Sequence, residues 1–210
     1  MPTAPARSAK PHPPRSPRSP RTKPPEARRD ELIGAAQRLF LAQGVAPTTI
    51  EQITQGAKVA KGTFYLYFSS KEDLLAALGD RFAQTHLGGI EAALAQRDAG
   101  DWPGRLSTWV KACALGHLDA IKLHDTLFRE ARKPTREGLV ENIVIDHLSA
   151  LLRAGTDAGA WAVDAPDLTA VFLFSALHGA VDHAYLRSKR VNRTRLAQEL
   201  ERLCRGAIGV

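Results

Sequence analysis

Apolar residues recur at helical spacing along most of the chain, and no stretch shows the apolar–polar alternation of a half-buried strand. Leu32, Ala36, Leu39 and Phe40 form one face of a first helix, and Gly44 stops it. Thr48-Thr49-Ile50-Glu51 has the T-x-x-E form of a capping box. A second helix is therefore expected there, turning Ile50, Ile53 and Ala57 inward and ending near Gly56 or Ala57. After a link carrying Val59, a short third helix spans Ala60 to Tyr65 and ends near Phe68. Ser69 or Ser70, followed by Glu72 and Asp73, caps a long fourth helix with Leu74, Leu75, Leu78, Phe82, Ile90 and Leu94 inward; Gly88-Gly89 marks a bend or break in it. Trp102-Pro103-Gly104 precedes a fifth, with Leu106, Trp109, Val110, Cys113, His117 and Ile121. A short helix around Asp125 to Ala131 precedes Pro134, and a longer one from Arg136 to Ala158 buries Leu139, Ile143, Leu148, Leu151 and Leu152. Asp164, Pro166 and Asp167 open another, rich in Phe172, Leu173, Phe174, Leu177 and Val181. Asn192 caps the last, which presents Leu196, Leu200 and Leu203. The fold class expected is all-α, with about nine helices.

Charge changes this picture at one end. The chain has 210 residues, 29 Lys and Arg against 22 Asp and Glu, and a formal net charge of +7. Eight of the basic residues (Arg7, Lys10, Arg15, Arg18, Arg21, Lys23, Arg28, Arg29) precede position 30, with Glu26 the one acid among them. The remainder is formally balanced, so the whole excess belongs to an amino-terminal arm, and the body can meet nucleic acid only through local placement of charge. Residues 1–27 are mostly Pro, Arg and Ser with almost nothing to bury, and are expected to be disordered. Arg15 to Arg21 reads R-S-P-R-S-P-R. Its cations either assist DNA binding from the minor groove or form a solvated tail.

Composition narrows the class further. Cys113 and Cys204 match no zinc or redox spacing and make no disulfide framework, which fits a reducing cytoplasm. The best apolar stretch, Thr169 to Val181, contains His178 and falls short of a membrane span of roughly 20 residues. The arm lacks the apolar core of a signal peptide.

Between Asp30 and Leu75, two helices joined by a tight turn have the form of a helix-turn-helix, whose second helix enters the major groove. Lys58, Lys61, Thr63, Tyr65, Tyr67 and Lys71 concentrate cations and hydroxyl donors there, groups suited to phosphate oxygens. T-T-I-E-Q-I followed by K-G-T-F-Y-L-Y-F-S-S-K-E-D-L-L resembles the DNA-binding signature of the TetR family of transcriptional regulators, over about residues 29–75. The resemblance implies that Thr49 touches phosphate, that Lys61, Gly62 and Thr63 lead the recognition helix, and that Tyr65, Tyr67 and Lys71 clamp the backbone. Phe64 and Phe68 are read as core. One departure stands out: Ala57-Lys58-Val59-Ala60 replaces the family's Ala-Gly-Val-Ser turn. Either Lys58 takes the left-handed conformation the glycine would have taken, or Gly56 absorbs the bend. Ala60 removes a serine cap.

The same resemblance divides the chain into the arm at 1–27, a DNA-binding domain at 28–75 and a helical effector-binding and dimerisation domain at 76–210. It implies a homodimer on double-stranded operator DNA, released by a small-molecule effector, with no cofactor. Trp109, Cys113, His117, Phe128, His147 and Leu151 are the candidate lining of a largely apolar effector pocket. Phe172, Leu173, Ala176, Gly179, Ala180, Leu196, Leu200 and Leu203 are the candidate dimer contacts, although each could equally be intramolecular core. His178 with Asp182, or His124 with Asp125, could share a metal, but no third ligand is evident and no metal site is expected. Two other readings are a general DNA-binding protein using the arm and an all-helical enzyme. The second lacks a nucleophile beside a base or a phosphate-cradling glycine loop.

Overall fold

The structure, a computed structural model, describes residues 24–130, 142–188 and 190–210. Eight helices and no strand occur among them: α1 (Pro25–Gln43), α2 (Ile50–Gly56), α3 (Lys61–Tyr65), α4 (Lys71–Leu94), α5 (Trp102–Glu130), α6 (Ile143–Asp157), α7 (Pro166–Arg187) and α8 (Arg193–Ala207). The all-α expectation holds. The Arg15–Arg21 repeat and Leu139 lie outside the described residues.

Local chemistry explains most boundaries and corrects several. Pro25 sits at the first helical position, where a missing N–H costs nothing. Pro25–Ala27, expected in the arm, are thus the first turn of α1. Gly44 ends that helix at φ 89°. The capping box of α2 lies one residue later than the sequence pattern suggested. The Thr49 hydroxyl accepts from the Gln52 N–H at 3.2 Å, and Gln52 Oε1 accepts from the Thr49 N–H at 2.9 Å. Thr48 is buried instead, its hydroxyl donating to the Gly44 carbonyl at 2.7 Å. Ser70 caps α4 by accepting from the Asp73 N–H.

α4 runs unbroken through Gly88-Gly89. α5 absorbs the expected separate helix around Asp125, because neither Gly nor Pro interrupts residues 117–130. α6 starts at Ile143, later than expected, where Asn142 Oδ1 accepts from the N–H groups of Val144 and Ile145. Pro166 opens α7 without any cap from Asp164, and Asn192 caps α8 as expected.

Two hydrophobic cores result. The first joins Leu32, Ile33 and Phe40 of α1, Ile53 of α2, Phe64 and Phe68 around α3, and Leu74 and Leu78 of α4. The second joins α4 to α8 around Ile90, Trp109, Leu148, Leu173, Leu177 and Leu200. Trp161 completes it, donating its indole N–H to the Leu152 carbonyl at 2.8 Å; a side chain at Gly155 would collide with its ring. α4 serves both cores. So does α5, whose Leu127 and Leu123 pack on the first while Leu106 to Ile121 serve the second. The head is therefore tied to the body by two long, rigid elements.

Candidate nucleic-acid interface

α2 and α3 present a compact polar surface because their apolar sides are spent on the first core. The turn between them is a Schellman motif: the Lys58 N–H bonds the Gln55 carbonyl at 3.0 Å, and the Val59 N–H bonds the Thr54 carbonyl at 3.0 Å. That motif needs a left-handed residue, and Lys58 supplies it at φ 57°. Of the two possible turns, the strained one is therefore used, at a cost of about 1–2 kcal/mol relative to glycine. The Lys58 side chain is exposed. Ala60 stands at the N-cap of α3 with no side-chain bond to offer.

Lys61, Gly62 and Tyr65 are exposed on α3, while Thr63 and Tyr67 are half-buried. Phe64 and Phe68 are buried, as expected, and Phe64 sets Tyr65 edge-on at 5.4 Å between ring centroids. A Cβ at Gly62 would meet nothing within 4 Å, and its φ is not positive. Neither packing nor backbone geometry requires glycine there, which leaves approach by an outside partner as the reason for a bare backbone. Thr49 is exposed at the start of α2.

Two cations already have partners. Lys61 is paired with Glu51 of α2; the pair raises the pKa of Lys61 and holds Glu51 below the usual carboxylate range, chiefly through their hydrogen bond. Glu51 was missed as a site residue because its spacing from Thr48 mimicked a cap. Lys71 donates to the carbonyls of Val45 at 2.9 Å, Thr48 at 3.0 Å and Ala46 at 3.3 Å. These bonds account for all three ammonium donors. Lys71 therefore fastens the α1–α2 loop to α4.

The body differs from the expected pocket. Trp109, Cys113, His117 and Leu151 are buried in the second core, and burial pushes the Cys113 thiol up to about 12. Trp109 donates its indole N–H to His147 Nδ1 at 3.0 Å, which satisfies the indole. A cavity lies elsewhere, between α1, α4 and α5. It holds about 510 Å³, with Leu78, Phe82 and Leu123 on its apolar side and Gln37, Arg81 and His86 on its polar side. Arg81 donates to Gln37 Oε1 at 2.9 Å across it. Phe128 lines a smaller cavity of about 210 Å³ with His124, Asp182 and Tyr185.

Around these cavities the fold gathers histidines that the sequence scatters. His117 and His124 of α5 meet His178 of α7, with ring centroids 4.2 Å apart for His117–His178 and 4.6 Å for His117–His124. Burial is the main cause that holds His86 and His124 down at about 4 and His178 at about 3.

On the candidate dimer face, Phe172, Ala176, Gly179 and Leu203 are exposed, and Ala180 and Leu196 are half-buried. Leu173 and Leu200 point into the chain's own core at 2% and 5% exposure. Leu168 and Leu186, not singled out from sequence, extend the exposed apolar stripe along α7.

An all-helical body thus carries an amino-terminal helix-turn-helix with a cationic, hydroxyl-bearing outer helix. Residues 32–78 match the family described as bacterial regulatory proteins, tetR family. The HTH-type transcriptional regulator TcmR of Streptomyces glaucescens is 36% identical over 94 residues, covering 43% of this chain and 38% of that protein. HbdR of an Aromatoleum species is 50% identical over 50 residues, covering 24% of this chain and 22% of that regulator. The chain thus spans well under half the length of these curated relatives. Likeness of fold extends much further: the fatty acid degradation regulator FadR of Bacillus halodurans superposes with a TM-score of 0.69 at 25% identity, over 88% of this chain and 96% of that one. No helix among the described residues is long and apolar enough to cross a membrane.

Proposed function

We propose that the chain is a sequence-specific DNA-binding repressor that acts as a homodimer and leaves its operator when a small molecule occupies the body. The observation that carries the DNA-binding part is the outer face of α3, where the bare, unobstructed Gly62 stands beside exposed Lys61 and Tyr65. Thr49 and Lys58 flank this face, so donors for phosphate oxygens surround a backbone that can approach base edges. Lys61 exchanges Glu51 for DNA on binding. Lys71 acts indirectly, by holding the loop that positions α2.

The cavity between α1, α4 and α5 supports the effector reading better than the buried Trp109–His147 region does, because an occupant there touches α1 of the head and both connecting helices at once. Its lining suits a ligand with an apolar body and one or two polar groups. Such a ligand releases DNA if it binds more tightly to the conformer whose heads do not fit the operator. The exposed stripe from Leu168 through Phe172 to Leu186 on α7, with Leu203 on α8, supports isologous pairing of two copies.

Gly62→Leu tests the interface. The added side chain meets no protein atom, and helix propensity improves by up to about 1 kcal/mol, so thermal stability is expected to hold or rise. DNA affinity, followed by fluorescence anisotropy, is expected to fall at least about tenfold, a loss of about 1.4 kcal/mol. A stable Gly62→Leu protein with unchanged DNA affinity contradicts the assignment.

A further inference from the structure

We propose that His117, His124 and His178 form a binding site for one divalent transition-metal ion of the imidazole-preferring kind, with Zn2+ as the representative. One candidate ligand nitrogen from each of the three lies within 4.8 Å of those of the other two. A tetrahedral ion with Zn–N bonds of about 2.0–2.1 Å brings such atoms to about 3.3 Å, a closure that small ring rotations supply.

The hydrogen bonds around the cluster leave a ring nitrogen of each histidine free to bind. The Asp182 carboxylate accepts from His117 Nε2–H at 2.9 Å, which leaves the lone pair on Nδ1. That Nδ1 is buried and has no hydrogen-bond partner, in a residue only 1% exposed. His178 donates Nδ1–H to the Phe174 carbonyl at 3.0 Å, so its lone pair is on Nε2. His124 Nδ1 is likewise buried without a partner. Buried polar atoms left unmatched are rare in native proteins and call for an explanation. An ion bound by nitrogen lone pairs explains two of them together. A carboxylate and a backbone carbonyl that fix the tautomers of two ligands are the usual outer support of a histidine metal site. Neutral imidazoles, as burial keeps His124 and His178, are the form that binds metal.

Three protein ligands leave a fourth position for an exchangeable group. The smaller cavity, which His124 and Asp182 both line, gives that position space of about 210 Å³. The ion would clasp α5 to α7. This inference is independent of the DNA-binding reading, and its test contains no DNA.

The full chain, freed of metal with EDTA, is titrated with ZnCl2 against a chromophoric chelator. One ion per chain is expected. His124→Gln and His178→Gln should each weaken Zn2+ at least about 100-fold, and Asp182→Asn about 10- to 100-fold. His183→Gln, at an exposed position on α7, should leave binding unchanged. Co2+ in the unaltered chain should show the intense visible bands of a tetrahedral site and be displaced by Zn2+, and X-ray absorption should count three imidazoles. The inference is overturned by the absence of a stoichiometric ion, or by unchanged affinity in both ligand variants. Should those variants fail to fold, fewer than three imidazoles around the ion in the unaltered chain overturns it.

Discussion

Lys58 shows how a single residue carries two opposed effects. Its left-handed φ of 57° is strained for any side chain with a Cβ, yet the Schellman turn requires it. Lys58→Gly should therefore stabilise the fold by about 1 kcal/mol, read as a raised denaturant midpoint. It also removes a cation from the rim of α3, so DNA affinity should drop severalfold and its salt dependence should flatten by about one ion. A gain in stability without a loss of DNA affinity would show that the lysine has no contact with phosphate. From sequence two turns were open here, a left-handed Lys58 or a bend at Gly56, and only the fold decides between them. The role of Lys71 was not legible either. Sequence marks it as one of several cations in the segment; only the fold brings the carbonyls of Val45, Ala46 and Thr48, more than twenty positions away, to its ammonium group.

At the scale of elements, helix existence was legible and helix assembly was not. Apolar periodicity placed α1, α4, α7 and α8 well because each has a wide buried stripe and a clear start or stop. The break expected in α5 failed because polar residues around Lys122 to Asp125 lie on a half-buried to exposed part of a continuous helix, with no breaker among them. The histidines follow the same logic. His117 and His124 are seven apart, about two turns, and share a face of α5, but their meeting with His178 depends on how α5 crosses α7. Their burial has a pH consequence. His86, His124 and His178 have folded pKa values of about 4, about 4 and about 3, below the ordinary histidine value of 6.5, with burial the leading cause in each. Neighbouring His117 pushes all three further down, while Asp125 and Asp182 pull His124 back up and the Phe174 carbonyl does the same for His178. The unfolded chain therefore binds more protons below about pH 6.5, and stability is full above that value and lost as pH falls toward about 4. Melting temperature measured in metal-free buffer should be flat from about pH 8 to about pH 7 and decline through about pH 5. A flat profile down to about pH 5 would mean that these rings are not buried as described.

For the whole molecule, the decisive feature is that one pair of long helices belongs to both cores. α4 carries Leu74 and Leu78 into the head and Ile90 and Leu94 into the body, and α5 returns Leu127 to the head. On the proposed effector reading, an occupant of the cavity between α1, α4 and α5 would bear on the head through these packed side chains. In the proposed dimer, pairing of two such chains would set the spacing of their α3 helices. Phe172, 59% exposed on α7, is the largest side chain on the proposed pairing face. Phe172→Glu should give a folded monomer by sedimentation, with the loss of most operator affinity. A dimer that survives the change places the interface elsewhere. Sequence-specific recognition of DNA by the α2–α3 head is put to the test by selecting bound fragments from the source genome and measuring affinity at one fixed salt concentration. An enriched, two-fold symmetric site is expected, bound at least about 1,000-fold more tightly than unrelated DNA. Equal affinity for selected and unrelated fragments, with a steep salt dependence and no enriched sequence, would contradict it.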